Sequence, residues 1–83
     1  MSVFAEFQAY KEKHGCEDCK IKYPHYVLEF DHRPENKKID VVYRVLRRLG
    51  REAAWKEVNK CDVVCANCHK QRTYEREQRV SRR

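Results

Sequence analysis

The stretch Cys61-Asp-Val-Val-Cys-Ala-Asn-Cys-His-Lys-Gln-Arg-Thr73 decides how this chain is read. Cys65 and Cys68 form a C-x-x-C pair, and His69 follows at once. Such a pair makes a knuckle, in which two thiolates turn toward one metal ion and a helix begins as the chain leaves the turn. His69 then stands on the first turn of that helix, fixed where a second metal or a phosphate could be met. Upstream, Cys16-Glu-Asp-Cys19 is another C-x-x-C, and together the two pairs supply the four thiolates of a tetrahedral structural zinc site. The competing reading is a redox dithiol or two disulfides. No thioredoxin-like βαβ pattern surrounds either pair, and no secretory segment points to an oxidising compartment. Cys61, the fifth cysteine, reads as a small apolar residue on a short strand, with a ligand swap with Cys65 as the alternative.

Working outward, 83 residues make one small domain over 1–83, and 39% charged residues leave it little apolar surface to bury. A staple is therefore needed for folding before any other purpose. No apolar run reaches the length of a membrane span, and the cysteine usage points to a cytoplasmic setting, in a bacterial or phage-infected cell or in a host. The net charge of +6 is unevenly placed. Residues 37–51 carry six Lys/Arg against Asp40 alone, and residues 69–83 carry six against Glu75 and Glu77. Two basic blocks on a neutral-to-acidic body describe a phosphate-facing surface; two solvated helix faces are the plainer alternative.

Taken in order, Ser2 caps a helix reaching about Lys13, with Phe4, Phe7 and Tyr10 as its core stripe and Gly15 as its stop. His25 to Asp31 alternates as a strand, Tyr26, Leu28 and Phe30 on one face and Val27, Glu29 and Asp31 on the other. A loop follows from Arg33 to Lys38. Asp40 is expected to cap a helix ending near Leu49, with Gly50 beyond it and Ile39, Val42, Tyr43, Leu46 and Leu49 as its apolar stripe. Arg44, Arg47, Arg48 and Arg51 fall at the spacing of one basic face. A second short helix runs over Glu52 to Lys60, with Trp55 as a packing anchor. Asp62 to Val64 is the second strand. The last helix starts near Asn67, reaches about Val80, and carries Arg72, Arg76, Arg79 and Arg83 along one side, with Lys70 in the same block.

Cys16-x-x-Cys19, then Leu28-Glu-Phe-Asp-His32, then Cys65-x-Asn-Cys-His69 together resemble the zinc-bound subgroup of the HNH endonucleases. The resemblance covers most of the chain, from Cys16 to about Thr73. It implies an α+β domain of the ββα-metal kind, zinc-stapled, here with an N-terminal helix and a helical insertion between the two strands. It implies hydrolysis of DNA phosphodiesters with one divalent ion at the scissile phosphate. On that pattern Asp31 and His69 hold the ion, His32 is the general base toward the attacking water, and Asn59 is the middle asparagine, with Asn67 and Asn36 as alternatives. Arg72, one turn beyond His69, is expected to steady the phosphate. Some relatives carry a further histidine one turn after the last; this chain has Thr73 there, which favours a sparse site for Mg2+ or Mn2+ over a tightly held transition metal.

The expected partner is DNA, contacted by Arg44, Arg47, Arg48, Arg51, Lys70, Arg72, Arg76 and Arg79. The alternative from another class is a catalytically inactive, zinc-stapled DNA-binding module. The trio Asp31, His32 and His69 separates the two, because a pure binding module has no use for it. RNA is a weaker alternative substrate, since phosphate chemistry does not distinguish the sugars.

Overall fold

A computed structural model describes residues 2–36 and 38–81. Helix α1 (Val3–His14) starts where Ser2 accepts a hydrogen bond from the amide of Ala5 at 3.1 Å. It ends at Gly15, whose φ of +73° belongs to the left-handed region and whose amide donates back to Lys11 O at 2.9 Å. A Cβ there would sit 3.2 Å from the carbonyl oxygen of Ile21, so glycine also makes room for the first knuckle.

Strand β1 (Leu28–His32) pairs antiparallel with β2 (Cys61–Cys65), in the register Leu28↔Cys65, Phe30↔Val63 and Asp31↔Asp62. Two helices fill the connection between them: α2 (Val42–Leu49) and α3 (Arg51–Val58). Helix α4 (Ala66–Ser81) leaves β2 without a linker. The described residues thus form a small α+β fold with four α-helices and a two-stranded antiparallel sheet, the helical insertion lying between the strands. No helix among them is long and apolar enough to cross a membrane.

Several expectations shift. The strand does not begin at His25: Pro24 opens a 3-10 turn over His25–Val27, with Val27 N donating to Pro24 O at 3.0 Å. β2 turns into the second knuckle at Cys65, so nothing is left to pair with residues before Leu28, and Tyr26 is exposed rather than inward. Asp40 does not cap α2 in the expected way. Its carboxylate accepts from the adjacent amide of Val41 at 2.8 Å, and Val41 supplies the first helical carbonyl. The apolar face of α2 is Val42 and Val45, both buried; Ile39 and Leu49 are exposed. Arg51 does not continue the face of Arg44, Arg47 and Arg48. Gly50, at φ +92°, breaks the helix before it, and Arg51 opens α3 to clasp both oxygens of Glu6 at 2.7 Å.

The core has two parts. Phe7, Val42, Val45, Ala54, Val58 and Cys61 join α1, the helical insertion and the edge of β2. Cys16, Leu28, Val63, Val64 and Cys65 form the second part behind the knuckles. Tyr10 and Phe30 pack against both, which makes the core continuous. Phe7 sits at the centre, its ring edge-on to Trp55 at 4.8 Å, to Tyr43 at 5.8 Å and to Phe30 at 5.9 Å. Trp55 is the packing anchor expected of it. Lys11, an unexpected buried cation, donates to Leu28 O and Tyr43 Oη at 3.2 Å each, and lies over the Phe30 ring at 5.3 Å.

Phe7→Ala should therefore cost about 3–5 kcal/mol of unfolding free energy in zinc-loaded protein, read by denaturant titration. Phe4→Ala should cost about 1 kcal/mol or less, because Phe4 is half exposed and only stacks on Tyr43. Equal losses at the two positions would contradict this placement of the core.

Candidate active site and metal centre

Each knuckle sits at a chain reversal next to the sheet. After Cys19 the chain turns through Lys20, whose φ of +64° is uncommon for a residue with a side chain, and Lys20 N donates to Cys16 O at 2.9 Å. The second knuckle is the junction of β2 and α4. The sulfurs of Cys16, Cys19, Cys65 and Cys68 lie within 4.8 Å of one another, an arrangement that could hold a metal ion such as zinc. Sulfurs about 2.3 Å from a zinc ion stand roughly 3.8 Å apart, so the cluster needs little closure.

The surrounding backbone is arranged for thiolate. Cys16 Sγ accepts from the amides of Cys19 at 3.5 Å and Cys65 at 3.3 Å, and Cys65 Sγ accepts from Cys68 N at 3.4 Å. Burial pushes the Cys16 thiol up, but the amides of Cys19, Cys65 and Asp18 outweigh it and bring the group to about 6. Cys68 is driven the other way, to about 12, by desolvation and by sharing space with the other sulfurs. One thiolate raises its neighbours until a cation joins them. Cys61 stands apart. Its thiol donates to Glu57 O at 3.3 Å, and burial followed by the Glu57 charge pushes it up to about 12. It is a buried thiol on β2 outside the four-sulfur cluster.

The antiparallel register sets Asp31 opposite Asp62, an unfavourable pair unless a cation lies between them. Arg72 of α4 is that cation. Its Nη1 donates to Asp31 Oδ2 at 2.7 Å and to Asp62 Oδ2 at 3.1 Å, while Nε and Nη2 grip Asp18 at 2.7 and 2.6 Å. Arg76 adds two bonds of 3.0 Å to Asp31. Burial raises the Asp31 carboxyl, but Arg76 and Arg72 prevail and hold it below the usual carboxylate range. Arg72, expected to reach a phosphate, thus has its donors committed to carboxylates from the first knuckle and from both strands.

Period-two alternation turns Asp31 and Glu29 toward α4 and His32 toward α3. His69 Nδ1 is hydrogen-bonded to Glu29, and its Nε2 stands 3.5 Å from Asp31 Oδ1. His32 Nε2 meets Glu57 Oε2 at 2.8 Å. A cleft of about 410 Å³ has Asp31, His32, His69, Asn36, Lys38 and Arg76 among its lining residues. The three residues singled out as a catalytic trio therefore share one cleft. Of the three asparagines, Asn36 lines it. Asn59 does not: it ends α3 with an exposed side chain, and its carbonyl accepts from Arg33. Asn67 is exposed on the first turn of α4.

Arg44, Arg47, Arg48 and Lys70 are exposed, with Arg44 and Arg48 3.5 and 3.9 Å from Asp40. The side chain of Arg79, and Arg83, lie outside the described residues. Glu29 and Glu57 had no local signal in the sequence; only the strand alternation hinted at Glu29. Comparison with protein-family models, curated proteins and solved structures finds no match for the chain.

Dialysed protein should retain about one equivalent of zinc. Cys16→Ser should lose it and Cys61→Ser should keep it; zinc lost from the Cys61 variant would move that residue into the ligand set. Arg72→Gln should destabilise the protein by about 1–3 kcal/mol at pH 7, a buried-pair loss discounted for partial exposure. Asp18 is held low chiefly by its hydrogen bonds to Arg72, and Asp31 by Arg76 and Arg72. A depressed carboxylate stabilises above its unfolded pKa of about 4 and loses that contribution as pH falls through its folded value. The gap between wild type and Arg72→Gln should therefore narrow below about pH 4; a gap that is constant with pH would contradict the assignment.

Proposed function

We propose that this chain is a metal-dependent endonuclease of the HNH type that hydrolyses DNA phosphodiester bonds. One observation carries the reading. His69 Nδ1 is hydrogen-bonded to Glu29 and its Nε2 stands 3.5 Å from Asp31 Oδ1, beside His32 in the same cleft. A histidine oriented through its far nitrogen by a carboxylate is a common arrangement behind a metal ligand. The order strand, strand, helix around a four-cysteine cluster supports the ββα-metal reading further.

Asp31 and His69 would hold a Mg2+ or Mn2+ ion, which when bound supplies Lewis-acid relief of charge on the leaving oxygen. The carboxylate and imidazole together fit such a sparse site. His32 takes a proton from water, and the hydroxide so formed makes the new P–O bond as the P–O bond to the leaving sugar oxygen breaks. That oxygen takes its proton from solvent. Lys38, lining the cleft, faces the phosphate, a role the committed donors of Arg72 and Arg76 leave to it. Arg44, Arg47 and Arg48 extend the basic surface along α2.

His32→Ala should lower cleavage by roughly two to four orders of magnitude while DNA affinity holds, because the base is lost and the phosphate contacts are not. His69→Ala should also cut poorly, but excess Mg2+ or Mn2+ should partly restore it, whereas no concentration rescues His32→Ala. Identical metal responses in the two variants would contradict these roles. Neutralising Arg44, Arg47 and Arg48 together should flatten the salt dependence of DNA binding by up to about three units of log–log slope. An unchanged slope would return that face to solvent.

A further inference from the structure

Glu57 is fully buried on α3, away from the knuckles and from the cation-bridged carboxylates. Its Oε2 accepts from Ile39 N at 3.0 Å and from His32 Nε2 at 2.8 Å, and its Oε1 accepts from Lys60 Nζ at 3.0 Å. Burial raises the Glu57 carboxyl, but the Ile39 amide, Lys60 and His32 overcome that and keep it ionised. An ionised carboxylate only accepts, so Nε2 of His32 must carry the hydrogen. In the neutral ring the lone pair is then on Nδ1, which makes no hydrogen bond among the described residues. His32 lines the cleft with Asp31 and His69, and its side chain is 11% exposed.

We infer that Glu57 is the positioning residue of the reaction: it holds His32 in the Nε2–H tautomer and turns Nδ1 toward the cleft, where Nδ1 takes the proton from the attacking water. This rests on the nuclease reading above. Glu57 touches neither substrate nor metal and acts only through the ring. Its anchors, Ile39 N in the loop after β1 and Lys60 before β2, tie that ring to the helical insertion. The insertion thereby gains a part in catalysis besides its basic face. Uncorrected tautomers of a catalytic histidine cost up to about four orders of magnitude in rate elsewhere, which sets the scale.

Three measurements test this. Long-range 1H–15N correlation on zinc-loaded wild type, at about pH 8 where an ordinary imidazole is neutral, should report His32 protonated on Nε2 alone. A ring protonated on Nδ1 overturns the proposal without any variant having to fold. Glu57→Gln, whose amide can donate to Nε2 in place of accepting, should lose the single tautomer and lower kcat by about a hundredfold or more, with KM near wild type. The His32→Ala/Glu57→Gln double variant, with zinc content verified, should cut no more slowly than His32→Ala alone, because Glu57 acts only through the ring. A further additive loss in the double variant, or full activity in Glu57→Gln, assigns Glu57 to stability and overturns its positioning role while leaving the nuclease reading intact. A wild type that never cuts removes the nuclease reading itself, and with it the proton transfer proposed for Nδ1.

Discussion

Four sulfur atoms from two knuckles meet in one half-buried pocket, and everything else is hung from that meeting. Cys16 and Cys65 are 49 residues apart, yet the amide of Cys65 donates to the Cys16 sulfur. A link closing a loop of that length is worth about 4 kcal/mol on the chain-entropy argument used for disulfides, a large share of the stability of a small domain. It also fixes where β2 ends and α4 begins. β2 runs from its pairing with β1 straight into Cys65, and the first three turns of α4 pass over the Glu29–Asp31 side of the strand.

A second layer of constraint is electrostatic. The register that buries Leu28 and Val63 also forces Asp31 against Asp62. Arg72 resolves this and, by holding Asp18 as well, connects the first knuckle to the strand that carries Asp31. The staple and the cleft are therefore one mechanical unit. A change at either knuckle reaches Asp31, from the first through Asp18 and Arg72 and from the second through His69, which follows Cys68.

The sequence was legible where the signal was local. The paired C-x-x-C spacings, the Ser2 cap, the stops at Gly15 and Gly50, and the helix leaving Cys65 all depend on neighbours within a few residues, and all are present. The trio Asp31, His32 and His69 was legible as a pattern, and its members share a cleft. What was not legible depends on partners that only the fold selects. Tyr26 alternates correctly for a strand, but no strand remains opposite it. Ile39 and Leu49 have helical spacing with Val42, but the helix starts late and turns Val45 inward instead. Arg72 looks like a phosphate ligand until Asp62, ten residues before it, and Asp18, from the first knuckle, are folded against it. Nothing near Glu57 in sequence announces His32.

The role proposed for the cleft holding Asp31, His32 and His69 is phosphodiester hydrolysis with a divalent ion. The most direct measurement is cleavage of supercoiled plasmid by zinc-loaded wild type across a series of divalent ions, with chelator as control. Relaxation or linearisation is expected with Mg2+ or Mn2+, and neither with chelator. Protein that binds the plasmid but leaves it supercoiled with every ion would contradict that role, and would make the chain a zinc-stapled binding module.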